Sequence, residues 1–254
     1  MRLKGRVGVI TGAAGGIGSA IARRFADEGA TLCLLDRADA ALLAAELSHG
    51  EQRATSVQVD LTRRDSVHQA MAAVLKTFGC IDILVNAHGV SSHGSAETLA
   101  EAEWDRVIAH NLKSVFLCCQ AVIGPMRERH YGRIVNIGSI LGKNGGNPRP
   151  WIDRTEQTCS GNLAYGAAKA GVHAIVLFLA KELGAYGITV NAVAPGPIAS
   201  AMTTHFPETL RALIPVGHMG EGADVADAVA YLAGEQAGFV NGEVLDLNGG
   251  MWVD

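Results

Sequence analysis

The chain has 254 residues, of which 21 are basic and 25 acidic, and its formal net charge is -4, with the charges spread along the sequence. This length suffices for a single α/β domain over 1–254, and the lack of a basic stripe disfavours nucleic-acid binding. The uncharged stretches 7–22 and 187–206 are broken by glycines or by polar residues and prolines, so no membrane span is expected; the first strand begins almost at once, which predicts no signal peptide and a cytoplasmic location.

Strand-like and helix-like runs alternate along the chain. Strands are predicted near 6–11, 31–36, 54–59, 82–85, 132–138, 187–193 and 243–247, with helical patterns in most intervals. This alternation predicts an α/β fold, a doubly wound Rossmann-type parallel sheet of seven strands in the order 3-2-1-4-5-6-7 with helices on both faces. Ligands of such sheets bind at the carboxyl ends of the strands.

The first predicted strand runs into a glycine-rich turn and then a helix. The turn residues expected to contact a cofactor are Gly12, Gly15, Gly16, Ile17 and Gly18. The first, third and last glycines would supply the tight turn, the close backbone approach and the helix packing of a dinucleotide site, with the helix N-terminus directed at phosphate. Ser19 follows where a P-loop needs lysine, which disfavours ATP or GTP. Read alone, the turn could also merely connect strand and helix.

An acidic residue ends the second predicted strand. Asp36 stands at the distance where a carboxylate binds the ribose hydroxyls of adenosine, and it would repel a 2′-phosphate. Arg37 follows it and could meet such a phosphate, but the adjacent turn brings no second cation. NAD is therefore predicted over NADP. The alternative for Asp36 is a solvated charge at a strand end.

A tyrosine and a lysine are spaced one helical turn apart later in the chain. Tyr165 and Lys169 are i and i+4 on a predicted helix, so the ammonium can stand beside the phenol, and Ser139 lies upstream after the fifth strand. A neighbouring cation lowers the pKa of a tyrosine, which makes it a better acid and base near neutral pH. Taken alone, this spacing also occurs by chance on helix surfaces.

These motifs occur together in a known order. In chain order they are TGAAGGIG, Asp60-Leu61, 86–89, Asn111, Ser139, Tyr165, Lys169 and PGPI at 195–198. Together they resemble the motifs of the classical short-chain dehydrogenases/reductases over essentially the whole chain. The resemblance implies that Tyr165 is the catalytic acid/base, that Lys169 holds the nicotinamide ribose and lowers the Tyr165 pKa, that Ser139 binds the substrate oxygen, and that Asn111 helps hold a relay water.

The resemblance also assigns contacts to the cofactor. Asp60 and Leu61 would border the adenine, and 195–200 would cover the nicotinamide side. The remaining contacts implied are Asn86, Ala87, Gly89, Tyr165, Lys169, Pro195, Gly196, Ile198 and Ser200.

Two features depart from the family pattern. His88 stands where a small residue is expected. It is either a titratable group that faces the cofactor or substrate, or a packed or exposed imidazole. The loop at about 142–162 is longer than usual and should overhang the active-site mouth. Its Arg149 and Arg154 could bind an anionic substrate; alternatively, they pair with Asp153 and Glu156 on a surface flap or subunit contact.

Cysteine and histidine placement gives no sign of a metal site. The five cysteines are odd in number and form no C-x-x-C pair: Cys33, Cys80, Cys118, Cys119 and Cys159. The nine histidines show no ligand spacing, so no catalytic metal is predicted.

The predicted activity is NAD-dependent hydride transfer between nicotinamide and a secondary alcohol or ketone. The alternative is a non-catalytic NAD-binding sensor or scaffold, and an NAD-using epimerase or dehydratase is a third reading. The helical segments 107–123 and 170–180 are apolar around nearly their whole circumference, which predicts a homodimer or homotetramer.

Overall fold

The strands of the sheet agree with those expected from the sequence. The computed structural model describes residues 1–49, 53–92, 94–146, 155, 162–200, 203–204 and 206–253. Within these ranges seven parallel strands form one sheet in the order β3-β2-β1-β4-β5-β6-β7, which confirms the predicted fold class. They are β1 (Val7–Thr11), β2 (Thr31–Asp36), β3 (Ala54–Gln58), β4 (Ile83–Asn86), β5 (Gly132–Ile137), β6 (Ile188–Pro195) and β7 (Val244–Leu247).

Helices fill most of the intervals between strands. They are α1 (Gly16–Asp27), α2 (Ala41–Glu46), α3 (Arg64–Phe78), α4 (Glu101–Ile108), α5 (Ser114–Glu128), α6 (Leu141–Asn144), α7 (Leu163–Leu183), α8 (Glu208–Arg211) and α9 (Gly222–Ala233). A π-helical segment, Ala109–Lys113, joins α4 to α5.

Two apolar cores lie on opposite faces of the sheet. Val74, Val122 and Val176 bring α3, α5 and α7 against one face, and Phe25 and Val229 bring α1 and α9 against the other. The central strands β5 and β6 are buried along their whole length because both of their faces are covered. The edge strands β3 and β7 are only partly buried.

The register of the sheet aligns the ends of its central strands. Thr11 of β1 pairs with Asn86 of β4, and Asn86 pairs with Asn136 of β5. The glycine turn, the residues after β4 and Ser139 therefore leave the sheet at the same level. All of them open onto one crevice at the carboxyl edge, where ligands of doubly wound sheets bind.

In the part of the chain that the structure describes, two helical stretches are long and apolar enough to cross a bilayer by length and composition alone. They are Glu101–Glu128 and Leu163–Tyr186. In the most apolar 18 residues of each stretch, 44% and 39% of the residues are buried, respectively. The sequence prediction considered only uncharged stretches and therefore missed them. Val122 and Val176 on their inner faces belong to the core of the sheet, as is typical of core helices.

Candidate active site

The glycine turn after β1 is shaped for a closely approaching ligand. Gly12 has φ +67°, and a Cβ there would lie 2.6 Å from the His88 Cα. At Gly18 a Cβ would lie 2.1 Å from the Gly12 carbonyl oxygen, so these two glycines are required by the fold itself. At Gly16 a Cβ would meet nothing closer than 3.8 Å, which leaves open space over the turn.

The N-terminus of α1 faces that open space. Gly15 precedes the helix in an extended conformation, no side chain caps the helix, and its first turn contains no acidic residue. The free backbone N–H groups and the positive end of the helix dipole are thus available to an anion. The turn fits the pyrophosphate of a dinucleotide.

The Asp36 carboxylate is hydrogen-bonded to the same turn. Its Oδ2 accepts a hydrogen bond from the Ala14 N–H at 3.0 Å, and its Oδ1 accepts one from the Ala38 N–H at 2.9 Å. Each carboxylate oxygen has a further lone pair, so both can still accept from ribose hydroxyls. Arg37 beside it is exposed. The carboxylate is thus fixed at the mouth of the turn.

Asp60 and Leu61, which the resemblance places beside the adenine, differ in exposure. Asp60 is exposed, and its Oδ1 accepts hydrogen bonds from the Thr62 N–H and hydroxyl at 3.0 and 2.7 Å, which lowers the pKa of the carboxyl group. Leu61 is buried in the core. Only the Asp60 side of this pair is therefore open to a ligand.

The end of β4 is tied to the neighbouring strand by a side chain. The Asn86 side chain is buried and donates from Nδ2 to Asn136 Oδ1 at 2.8 Å, so it ties β4 to β5 beneath the crevice. Ala87 and Gly89 lie above it at the strand end. A cofactor would meet the backbone of this segment rather than the Asn86 amide.

Ser139, Tyr165 and Lys169 come together at the carboxyl end of β5. The Ser139 Oγ accepts from the Leu141 N–H at 3.1 Å and is hydrogen-bonded to the Tyr165 side chain. Lys169 Nζ lies 5.6 Å from the centre of the Tyr165 ring and donates to the Ile137 carbonyl at 2.6 Å. The spacing along α7 therefore does place both side chains on the face that meets the serine.

Comparison with known proteins agrees with this geometry. Residues 12–252 match the family model described as enoyl-(acyl carrier protein) reductase. The chain is 40% identical over 257 residues to the (2S)-[(R)-hydroxy(phenyl)methyl]succinyl-CoA dehydrogenase subunit BbsD of Thauera aromatica, with 98% of each chain covered. It is 37% identical to the 3-oxoacyl-[acyl-carrier-protein] reductase FabG of Thermotoga maritima, with 99% of each covered. A crystal structure of gox2181 is similar over 98% of this chain and 96% of that one, with a TM-score of 0.89 and 32% identity.

The chain belongs to the short-chain dehydrogenase/reductase family. This confirms the resemblance drawn from the motifs. Members of the family are oxidoreductases that use nicotinamide cofactors. The glycine turn and the Ser139–Tyr165–Lys169 group are thus the expected cofactor and reaction sites of a short-chain dehydrogenase/reductase.

The Tyr165 pKa shifts in the direction opposite to the sequence prediction. Burial raises it, and the hydrogen bond with Ser139 only partly opposes the rise. Burial also lowers the pKa of Lys169 to about 8. The prediction overlooked that the Lys169 ammonium would be directed at the Ile137 carbonyl and that both groups would lose solvent. In this short-chain dehydrogenase/reductase the Tyr165 phenol is therefore protonated at neutral pH.

Asn111 lies in the π-helical segment between α4 and α5. Its Oδ1 accepts from the Val90 N–H at 2.7 Å and its Nδ2 donates to the Val90 carbonyl at 2.8 Å. These two bonds fix the loop after β4 against the helix. π-Turns interrupt the regular helical hydrogen bonds and are frequent at functional sites. A relay water would therefore be held by the Asn111 backbone more readily than by its engaged amide.

His88 is a packed imidazole rather than a group facing the crevice. The Ser114 hydroxyl donates to the His110 carbonyl at 2.7 Å, so at 2.6 Å it must accept from the His88 Nε2–H. The His88 Nδ1 then accepts from the Thr11 hydroxyl at 2.6 Å. Burial first, and the Lys169 charge second, lower the pKa of His88 to about 3. The neutral ring ties β1 to α5 beneath the cofactor turn.

We expect His88→Ala to lower the free energy of unfolding by about 3 kcal/mol, because it removes two part-buried hydrogen bonds and leaves a cavity. Chemical denaturation measures this change. His68→Ala, at an exposed position on α3, is the matched control and should change stability little. Equal stability losses in the two variants would contradict the bracing role of His88.

We expect Gly16→Ala to weaken NADH binding at least ~10-fold, about 1.4 kcal/mol, while the melting temperature stays unchanged. The new methyl group has space in the ligand-free fold but would project toward a bound pyrophosphate. Gly124→Ala, where a Cβ also meets nothing within 4 Å, is the control and should leave NADH binding intact. Fluorescence titration measures both. Unchanged binding in Gly16→Ala would argue against the placement of the pyrophosphate over this turn.

A cavity of about 900 Å³ extends from the serine and tyrosine toward solvent. The segment after β6 forms one wall: Pro195, Gly196, Ile198 and Ser200 line it. The Ser200 N–H donates to Thr203 Oγ1 at 2.9 Å, which folds this segment over the site. The cavity is also lined by residues that no sequence motif indicated, namely Leu141, Lys143, Leu163, Phe206 and Met251.

The arginines predicted to meet an anionic substrate, Arg149 and Arg154, lie outside the described residues. The same holds for Asp153 and Glu156, their partners in the alternative interpretation, and for most of the predicted loop at 142–162. Cys159 lies outside them as well, whereas the four described cysteines are free thiols. Among the described residues, no group of three or more histidine, cysteine or acidic side chains could hold a metal ion.

Proposed function

We propose that this protein is an NAD-dependent oxidoreductase that interconverts a secondary alcohol and a ketone, with Tyr165 as the general acid/base. The observation that carries the proposal is the hydrogen bond between Tyr165 and Ser139 at the inner end of the cavity, with Lys169 buried one helical turn away. A carbonyl oxygen in the cavity could reach both hydroxyl groups. Bound nicotinamide would supply or accept the hydride.

The protein groups divide the proton chemistry between them. In reduction, the neutral Tyr165 phenol donates its proton to the carbonyl oxygen while Ser139 holds that oxygen by a hydrogen bond. In oxidation, Tyr165 must first be ionised, and the nearby Lys169 ammonium stabilises the phenolate. Lys169 is itself held in place by the Ile137 carbonyl at 2.6 Å.

We propose NAD rather than NADP because of Asp36. The carboxylate stands at the mouth of the glycine turn with free lone pairs for ribose hydroxyls, and it would repel a 2′-phosphate. Arg37 is exposed next to it and is the group that could favour NADP. The carboxylate supports NAD because both of its oxygens are fixed by backbone N–H groups.

We propose an acyl thioester as the substrate class. The names of the two similar proteins describe a hydroxyl-bearing acyl-CoA and a 3-oxoacyl group on a carrier protein, and both of these are thioesters. The cavity walls contain the apolar side chains of Leu141, Leu163 and Met251, which suit an acyl chain. A 3-hydroxyacyl or 3-oxoacyl thioester would place its oxygen at Ser139 and its chain along these walls.

A panel of 3-hydroxyacyl-CoA, 3-oxoacyl-CoA, enoyl-CoA and simple secondary alcohols, assayed with NAD(H) and NADP(H), tests the proposal. We expect turnover of the first two classes with NAD(H) preferred. Turnover of the enoyl thioester alone would favour the reaction named in the family description. Absence of turnover throughout, with NADH still bound, would favour the alternative of a non-catalytic NAD-binding protein.

We propose that the protein self-associates through α5 and α7. Apolar side chains remain exposed on their outer faces, among them Phe116 (44%), Leu177 (50%) and Phe178 (75%). Light scattering at micromolar concentration should show a dimer or tetramer, and Phe178→Glu should shift it toward a smaller species. A monodisperse wild-type monomer would contradict this proposal.

A further inference from the structure

A buried histidine contacts the backbone of the substrate serine. His173 is on α7, one turn beyond Lys169, and is 8% exposed. Its Nε2 lies 3.4 Å from the Ser139 backbone nitrogen, which donates its N–H to the ring. The ring thus contacts the backbone of Ser139, whereas the Ser139 hydroxyl meets Tyr165.

Two glycines make the space for this ring. A Cβ at Gly138 would lie 2.2 Å from His173 Nε2, and a Cβ at Gly142 would lie 2.9 Å from His173 Cε1. A side chain at either position would push the imidazole away from the Ser139 peptide. His173 therefore fills a slot that is bounded by Gly138 and Gly142, one on each side of Ser139 in the sequence.

Burial and two nearby cations keep the His173 ring neutral. Lys143 on α6 and Lys169 on α7 both face it, and Asp246 of β7 is occupied by the Lys143 ammonium at 2.9 Å. Burial, followed by these two cations, lowers the pKa of His173 to about 4. Because Ser139 donates to Nε2, the proton of the neutral ring is on Nδ1. A protonated ring would present a donor to the Ser139 N–H and lose the bond.

We propose that His173 is a positioning residue for the reaction: by accepting the Ser139 N–H and filling the slot between Gly138 and Gly142, it fixes the serine hydroxyl that holds the substrate oxygen. This inference rests on the proposed function of Ser139. The ring contacts neither the cavity oxygen site nor the expected cofactor turn, so it acts only through the serine.

Steady-state kinetics of His173→Leu and His173→Gln test the proposal. Leucine fills similar space without an acceptor, and we expect kcat to fall roughly 10-fold with the NADH dissociation constant unchanged, since one misdirected hydrogen bond misplaces the reacting oxygen. Glutamine restores an acceptor near the position of Nε2, so its kcat should recover most of the loss. His68→Leu, exposed on α3, is the control.

The outcomes separate this inference from the proposed function. Turnover of the thioester panel by the wild type with equal kcat in His173→Leu, or a glutamine variant no better than the leucine variant, would overturn the positioning role. No turnover by the wild type would instead overturn the proposed function. If the variants do not fold, nitrogen NMR of the wild type decides: we expect the proton of His173 on Nδ1, and a proton on Nε2 would refute the proposal.

Discussion

Replacing Tyr165 by phenylalanine should lower kcat by about 10³-fold and leave the NADH dissociation constant within roughly two-fold of the wild type. The substitution removes one oxygen atom, the group that exchanges the proton with the substrate. The Ser139 hydroxyl stays in place because its oxygen accepts from the Leu141 N–H and the Ser139 backbone N–H donates to His173. Steady-state assays with saturating NADH and fluorescence titration measure the two quantities.

A matched tyrosine provides the control. Tyr231→Phe removes the same atom from an exposed position on α9 and should change neither quantity. The raised pKa of Tyr165 adds a pH dependence: the rate of alcohol oxidation should rise with pH through the neutral and alkaline range, because only the phenolate accepts a proton. Near-normal activity in Tyr165→Phe would refute the acid/base role.

Replacing Lys169 by methionine should have opposite effects on activity and stability. Activity should fall by about 10²-fold or more, because the phenolate loses its neighbouring cation. Stability below pH 8 should rise by roughly 1–3 kcal/mol, since folding buries the ammonium and lowers its pKa from 10.5 to about 8. Because the variant also loses the hydrogen bond to the Ile137 carbonyl, the increase in the free energy of unfolding should be smaller than the Lys169 pKa shift alone implies.

The sign of this effect can be checked by pH titration of stability. Between about pH 8 and 10.5 the unfolded wild type binds the Lys169 proton more strongly than the folded protein, so the free energy of unfolding rises with pH. The rise should be absent in Lys169→Met and present in Lys181→Met, which alters an exposed lysine on the same helix. Equal slopes in the wild type and Lys169→Met would contradict the buried-charge interpretation.

Periodicity and turn chemistry predict the framework of this protein well. The strands of the central sheet are apolar because both faces are covered, and the glycines at 12 and 18 follow from close backbone contacts. The i, i+4 spacing placed Tyr165 and Lys169 on one helical face, as found. Local patterns of this kind depend on the backbone and are therefore visible in a single sequence.

Tertiary surroundings explain what the sequence did not predict. The direction of the Tyr165 pKa shift depends on burial by other elements. The Asn86 amide is hydrogen-bonded to Asn136 on the neighbouring strand, and the His88 ring is hydrogen-bonded to Thr11 of β1 and Ser114 of α5. No spacing rule connects such distant residues. The helical stretches of membrane-spanning length were missed because their few charges lie among apolar residues.

The position of the Tyr165 hydroxyl against a bound substrate tests the central claim most directly. Crystals grown with NADH and an unreactive 3-oxoacyl thioester analogue give this distance. We expect the Tyr165 Oη to lie roughly 2.6–3.2 Å from the carbonyl oxygen, with Ser139 Oγ at a similar distance. A carbonyl oxygen bound outside the reach of Tyr165, in a complex that reacts when the true substrate is supplied, would contradict it.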